Sequence, residues 1–244
     1  MLVIGLLTWN REVQIPYVLD QILKLESPYP IGLVIVDNES EDNTYKIIVD
    51  WIRRNKTKFT YIELYRHRCK IPVARNIVLD TARKLKAKRL LYVDDDVLVH
   101  PKLVVEAENV FADEPKVAVV ASTTYTHYGK TPVYPEQLEV DLGVLPEVQK
   151  IVTSWMGSTI INLERLPRHI VFDESKVVLE DIDFMMKVAN CGLEIARLNH
   201  IKSVHWKLHE DDTSYVRTVK LWGGGVTIRP KPLTIGRVTI RGER

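Results

Sequence analysis

Three adjacent carboxylates, Asp94-Asp95-Asp96, follow the apolar run Leu90-Leu91-Tyr92-Val93. If that run is a parallel strand, the triplet lies at its carboxyl end, the edge at which open α/β sheets bind ligands. Neighbouring carboxylates raise one another's pKa unless a cation compensates them. A hard divalent ion such as Mn2+ or Mg2+ would do so, taking one or two carboxylates and filling its other positions with water and phosphate oxygens. The plainer alternative is a solvated turn that caps the helix opened by Pro101.

Polar residues close two further apolar runs, Thr8-Trp9-Asn10-Arg11 after the first and Asp37-Asn38-Glu39-Ser40 after the second. Asp37 or Asn38 can bond the edge of a planar base, and Thr8 and Asn10 can hold ribose or ring oxygens. For Ser40 and Asp42 helix capping is the simpler reading. Arg75, in the first turn of a helix led in by Lys70-Ile71-Pro72, is a candidate for a phosphate or base contact, with a solvated helix arginine as the alternative. Among seven histidines, His205 follows the last apolar strand and can bring a ring nitrogen to a metal or a diphosphate, with His209 as its competitor.

These residues need a scaffold, and apolar runs of strand length alternating with segments of helical period supply one: a parallel sheet wrapped by crossover helices. Strands are expected at Leu2 to Thr8, Gly32 to Asp37, Phe59 to Tyr65, Arg89 to Val93 and Val117 to Ala121. Between them, helical faces read Ile15-Val18-Leu19-Ile22, then Tyr45-Ile48-Val49-Ile52, then Ala74-Ile77-Val78-Thr81-Leu85, then Leu103-Ala107-Val110-Phe111. Beyond Ser122 the pattern loosens, with an apolar segment from Ile151 to Leu163 and a helix from about Asp181 to Asn190. The chain therefore divides into 1–122, 123–215 and a terminal stretch 216–244. That last stretch carries seven basic residues against the single acid Glu243.

With 244 residues, 45% hydrophobic and 27% charged, the chain is long enough for a core that needs no staples. A net charge of +2 spread along the chain argues against a nucleic-acid coat. Two distant cysteines, Cys69 and Cys191, match no metal spacing and fit a reducing compartment. No signal peptide and no membrane-spanning run is legible, so the expected location is cytoplasmic. The basic tail with Trp222 offers a peripheral contact with anionic lipid or an oligomer contact.

Thr8-Trp9-Asn10-Arg11, Val36-Asp37-Asn38-Glu39-Ser40, Val73-Ala74-Arg75-Asn76 and Tyr92-Val93-Asp94-Asp95-Asp96-Val97, in this order and spacing, resemble the N-terminal half of family 2 glycosyltransferases. Glu180-Asp181 followed by Phe184-Met185-Met186 and Gly192 resembles that family's acidic pair at a helix head. The resemblance implies a Rossmann-like, mostly parallel sheet flanked by helices (a GT-A type α/β fold). Residues 1–122 would be its nucleotide-sugar half and 123–215 a mixed acceptor half.

It also implies a nucleoside-diphosphate sugar donor, a divalent cation, inversion at the anomeric carbon, and a glycan, lipid-linked or protein acceptor. By matching position, Asp94 and Asp96 form the metal-binding pair, with Asp96 the direct ligand and Asp95 a ribose or phosphate contact. Asp37 and Asn38 match the base-binding pair, and Asp181 matches the general base. Trp155-Met156-Gly157-Ser158 is similar to the stretch lining the acceptor and sugar pocket, where Trp155, Gly157 and Glu180 would stand. Trp9 and Asn38 depart from the more frequent Tyr and Asp, and Lys187 stands where Arg is usual.

The chemistry asks for two different carboxylate tasks: one set neutralises the leaving diphosphate through a cation, and another takes the acceptor's proton. Asp183 lies about 200° around the helix from Asp181, so only one of them reaches a given cleft; the expected apolar face between them is Ile182, Met185, Met186 and Ala189. Three rivals remain. A haloacid-dehalogenase type phosphatase wants Thr or Val where Leu98 stands. A sugar nucleotidyltransferase wants a glycine-rich loop where Thr8 to Glu12 has none. A fold relative could bind sugar nucleotides without turnover.

Overall fold

The computed structural model describes residues 1–208 and 237–240. Its first half alternates strands Leu2–Thr8 (β1), Ile31–Asp37 (β2), Tyr61–Arg66 (β3) and Arg89–Asp94 (β4) with helices Ile15–Ile22 (α1), Thr44–Asn55 (α2) and Ile71–Lys84 (α3). The four strands lie in the order β3-β2-β1-β4, all parallel. Parallel neighbours need crossover connections, and the three helices are those connections. The register pairs Thr8 with Asp37 and Leu7 with Asp94, so the carboxyl ends of β1, β2 and β4 reach one edge together.

The second half contributes Val97–Leu98 (β5), Leu103–Asp113 (α4), Val117–Tyr128 (β6), Leu138–Asp141 (β7), Val148–Ile151 (β8), Ser158–Asn162 (β9), Glu180–Asn190 (α5) and Glu194–Lys207 (β10). Arg237–Ile240 (β11) pairs with β7. The main sheet continues β4-β9-β6-β10-β5, with β8 also on β10. β9 runs antiparallel to both β4 and β6, so its amino end, preceded by Gly157, meets the carboxyl end of β4. β6 runs unbroken through residue 122, so the two halves share it. A bulge between Leu198 and Lys202 lets the first part of β10 pair with β8 and its last residues with β5.

Side-chain alternation along the strands feeds two cores. Leu2, Ile4 and Leu6 pack with α1, α2 and α4 on one face, while Val3, Val34, Val36, Leu90 and Tyr92 pack with α3 and α5 on the other. Gly5 permits the close approach of α3 to β1: a methyl group there would come 2.3 Å from Val78 Cγ1.

Three helical faces differ from expectation; in α3 Ile77 and Leu85 are only half-buried, while Leu79 and Ala82 are fully buried. In α2 the buried stripe is Thr44, Ile48 and Trp51, with Tyr45, Val49 and Ile52 only half-buried. Trp51 can be buried because its indole N–H donates to Asp20 Oδ1 at 2.9 Å. In α5 the buried face is Glu180, Phe184, Met185 and Val188, whereas Met186 is 54% exposed and Ala189 is exposed. Phe184 stacks on Phe172 with ring centroids 4.3 Å apart, and this contact sets the rotation of the helix. The segment expected from Ile151 to Leu163 is a loop and strand β9 following the end of β8.

Among the described residues no helix is long and apolar enough to cross a membrane. Of the basic stretch 216–244 only β11 is described; His209, Trp222 and Gly223-Gly224-Gly225 lie outside the described residues.

Candidate active site

The loops after β1 and β2 are built as one clasp. The Thr8 carbonyl accepts the Asn38 N–H at 2.9 Å. Asn10 takes a left-handed conformation, φ 51°, which asparagine tolerates better than most residues. Its N–H donates to Ser40 Oγ at 3.0 Å and its Oδ1 accepts the Glu41 N–H at 2.8 Å. Asp37 is fully buried, accepts hydrogen bonds from the Ser40 hydroxyl and N–H, and has Arg66 Nε at 3.6 Å. Asn38 Oδ1 accepts the Cys69 N–H at 2.6 Å, tying the β2 loop to the segment that leads into α3.

Each aspartate of the triplet has its own cation. Arg75 Nη2 lies 3.5 Å from Asp94 Oδ1. Asp95 accepts Arg11 Nε at 3.2 Å on Oδ1 and the Trp9 N–H at 2.9 Å on Oδ2. Asp96 Oδ2 receives Lys207 Nζ at 2.7 Å, faces His205 Nε2 at 3.2 Å and has Arg11 Nη2 at 3.8 Å.

These neighbours separate the three carboxyls. Burial works against ionising Asp96, yet the hydrogen bonds and positive charge of His205 and Lys207 outweigh it and hold that carboxyl well below the usual range. Burial, reinforced by the charge of Asp96, pushes Asp95 up to about 7 despite Arg11. Burial also raises Asp94; Arg75 opposes the rise, while the charges of Asp96 and Asp181 add to it. Asp181 directly follows Glu180, the residue that touches Arg75.

Arg75 links the triplet to α5. Only 3% exposed, it sits against the rings of Tyr92 and Phe172, and its Nε is 3.4 Å from Glu180 Oε1. Burial raises the Glu180 pKa, and Arg75 partly offsets the rise. Two buried polar atoms at this edge, Arg75 Nη1 and Thr8 Oγ1, have no hydrogen-bond partner among the described residues. Such atoms normally find a partner, and here a bound ligand's oxygens or hydroxyls would serve.

Asp181 is half-buried, and its Oδ1 accepts the Ile182 N–H at 2.8 Å. Asp183 points elsewhere, held by Lys187 at 2.8 Å and by Lys176 at 4.0 Å. Leu179, which precedes the pair, has φ 62°, a strained value for a bulky side chain and one that sets the angle at which α5 enters the site.

Trp155 and Gly157 join the same cluster. The Trp155 ring lies 4.6 Å from the His205 ring, centroid to centroid. The Gly157 carbonyl accepts the Asp94 N–H at 3.2 Å, and a methyl group on Gly157 would fall 2.6 Å from Asp94 Oδ2.

Thr8, Asn10, Arg11, Asp37, Asn38, Arg75, the triplet, Trp155, Gly157, Glu180 and His205 therefore share one sheet edge or its loops. Sequence reasoning missed Lys207 and Arg66, and it read Ser40 as a helix cap, whereas Ser40 bridges Asp37 and Asn10 and the helix that follows starts at Thr44. The signal for Lys207 was available: it stands two residues after His205, and side chains two apart on a strand share a face.

No curated protein sequence matches the chain. Among solved structures, S. aureus TarS 1-349 in complex with UDP is 20% identical over 83% of this chain and 60% of its own, with a TM-score of 0.59. A mannosyltransferase from Pyrobaculum calidifontis, in complex with GDP-Man and Mn2+, is 19% identical over 83% of this chain and 56% of its own, TM-score 0.58. GalNAc-T7 with UDP, GalNAc and Mn2+ is 15% identical over 91% of this chain and 48% of its own, TM-score 0.64. At these identities the likeness is one of fold, and the chain spans 60% or less of the length of each. The sequence model of glycosyl transferase family 2 matches residues 4–176, a segment that holds the β1 and β2 loops, Arg75, the triplet, Trp155 and Gly157. The chain belongs to glycosyl transferase family 2.

Proposed function

We propose that this protein transfers a sugar from a nucleoside-diphosphate sugar to an acceptor hydroxyl, with inversion at the anomeric carbon and with a divalent cation, Mn2+ or Mg2+, at the acidic triplet. The observation that carries this reading is the convergence of the triplet, His205 and Asp181 on the sheet edge formed by the β1 and β2 loops. The UDP in the TarS structure, and the GDP-Man and Mn2+ in the mannosyltransferase structure, support it.

The donor set fits such a cation. Asp96 Oδ2 and His205 Nε2 are 3.2 Å apart, close to the roughly 3 Å between adjacent ligands on an octahedral ion with ~2.1 Å bonds. Among the described residues no group of three or more His, Cys, Asp or Glu side chains is placed to hold a metal. The protein would thus supply Asp96 and His205, with Asp94 behind them, and leave the other positions to water and diphosphate oxygens. When bound, the cation would neutralise charge on the leaving diphosphate as a Lewis acid.

The other roles belong to the chain. Asp37 and Asn38 would receive the base, Thr8, Asn10 and Asp95 the ribose, and Arg11 and Arg75 Nη1 the phosphates. Asp181, at the amino end of α5, would accept the proton of the attacking hydroxyl. Attack from the face opposite the departing diphosphate inverts the anomeric centre in one displacement. In this reading residues 1–122 serve the donor and 123–215 the acceptor, whether glycan, lipid-linked or protein. A cytoplasmic location belongs to the same reading, supported by the unpaired thiols of Cys69 and Cys191.

Calorimetric titration of UDP, GDP and dTDP, each with and without Mn2+, tests the proposal. At least one should bind more tightly with the ion, and Asp96→Ala should abolish that difference. If none responds to the ion and Asp96→Ala changes nothing, the reading fails. NMR of the product's anomeric proton tests inversion.

A further inference from the structure

Lys207 is the least expected member of the site. Its side chain is 7% exposed and that of Asp96 6%, so the 2.7 Å contact between Nζ and Oδ2 is a buried ion pair on the very oxygen that faces His205. The pairing is set by the strand: His205 and Lys207 lie on one face of β10, and the Trp206 N–H between them donates to the Asp96 carbonyl at 2.8 Å.

The charges of the cluster matter for what can enter it. Asp94, Asp95 and Asp96 are met by Arg75, Arg11 and Lys207, one permanent cation each. Three cations thus meet the three aspartates, with Arg75 also shared by Glu180, so the cluster's attraction for a free divalent ion is weakened. Such an ion would also have to share Asp96 Oδ2 with an ammonium, and like charges at that separation repel strongly in a site screened from water. A diphosphate changes both terms: it brings the negative charge that makes a divalent ion welcome, and it offers the ammonium another anion.

We propose that Lys207 guards the metal site: it occupies Asp96 until a nucleoside diphosphate arrives, then transfers its charge to the diphosphate, making cation binding conditional on the donor. The proposal rests on the donor reading given above and adds to it an order of assembly. By linkage, an ion that binds only weakly without nucleotide must itself tighten nucleotide binding by the same factor that nucleotide tightens the ion.

The test measures Mn2+ affinity of the nucleotide-free protein by the electron paramagnetic resonance of free Mn2+, in the wild type, Lys207→Met, Lys207→Gln and Lys207→Arg. Lys207→Gln keeps a hydrogen-bond donor to Asp96 without the charge, and it serves if Lys207→Met does not fold. Lys88→Met, an exposed partner of Glu164 at the opposite end of β4, is the control.

Removing one like charge this close to the ion should tighten Mn2+ about tenfold or more in the Met and Gln variants. The Arg variant and the control should stay weak, like the wild type. In EDTA, UDP or GDP, whichever binds the wild type, should bind several-fold more weakly to the Gln variant. Unchanged Mn2+ affinity in the Met or Gln variant overturns the guarding role, and unchanged nucleotide affinity in EDTA overturns the transfer of charge. If no nucleoside diphosphate binds the wild type with or without Mn2+, the donor reading itself fails, whereas the Mn2+ titration without nucleotide still decides whether Lys207 guards Asp96.

Discussion

Arg75 Nε lies 3.4 Å from Glu180 Oε1 although 105 positions separate the two residues in sequence. Through this contact the amino end of α5, which carries Asp181, is held against the carboxyl end of β4, which carries the triplet. The same guanidinium reaches Asp94, so one buried cation positions both carboxylate sets of the proposed reaction.

Arg75→Met should therefore cost stability as well as turnover. It leaves Asp94 and Glu180 without their shared cation in a site of low exposure, a loss typically worth about 3–5 kcal/mol. Urea denaturation should show the midpoint falling by the corresponding amount. Arg75→Lys should recover only part of the loss, because an ammonium lacks the planar fork that reaches two carboxylates at once. Full recovery by lysine would show that charge alone, without the fork, holds the two elements together.

Asp181 and Asp183 form a matched pair of opposite predictions. Asp181→Asn removes the proposed base, which should lower turnover about 10²–10⁴-fold while donor affinity stays within a few-fold. Asp183→Asn loses a surface pair with Lys187, worth about 0.3–0.5 kcal/mol, and should leave turnover near wild type. Equal effects on turnover would reassign the base. Unchanged turnover in both would place the base elsewhere, whereas donor binding with no turnover in the wild type would favour a protein that binds sugar nucleotides without transferring the sugar.

Two glycines separate packing from chemistry. Gly157→Ala would place a methyl group 2.6 Å from Asp94 Oδ2 and 2.7 Å from Trp155 Cζ2. Donor binding should weaken by about tenfold or more as the carboxylate and the indole are displaced, a steric misfit of the ~1–3 kcal/mol class. Gly5→Ala would meet Val78 Cγ1 at 2.3 Å. This clash lies in the core between β1 and α3, so thermal stability should fall while the protein that remains folded keeps its donor affinity. Calorimetry of donor binding beside thermal melts distinguishes the two.

Much of the scaffold was legible because its signals are local. Leu2 to Thr8 reads as a strand, and Thr8-Trp9-Asn10-Arg11 as the polar loop after it, from neighbours alone. The parallel order follows from the strand–helix alternation, since crossover helices admit few other arrangements. The triplet could be placed at a sheet edge for the same reason. The faces of α2 and α5 were less legible, because Trp51 and Phe184 are fixed by partners distant in sequence, Asp20 and Phe172.

The sequence by itself determined the α/β alternation, the polar strand ends and the identity of the acidic residues, all consequences of periodicity and composition within short windows. Only the tertiary structure decided the antiparallel insertion of β9 between β4 and β6, the burial of Arg75 between Asp94 and Glu180, and the seating of Lys207 on Asp96. Each of these depends on contacts between residues tens to more than a hundred positions apart. Their energy comes from charge pairing and packing in a site shielded from water, quantities that no local pattern encodes.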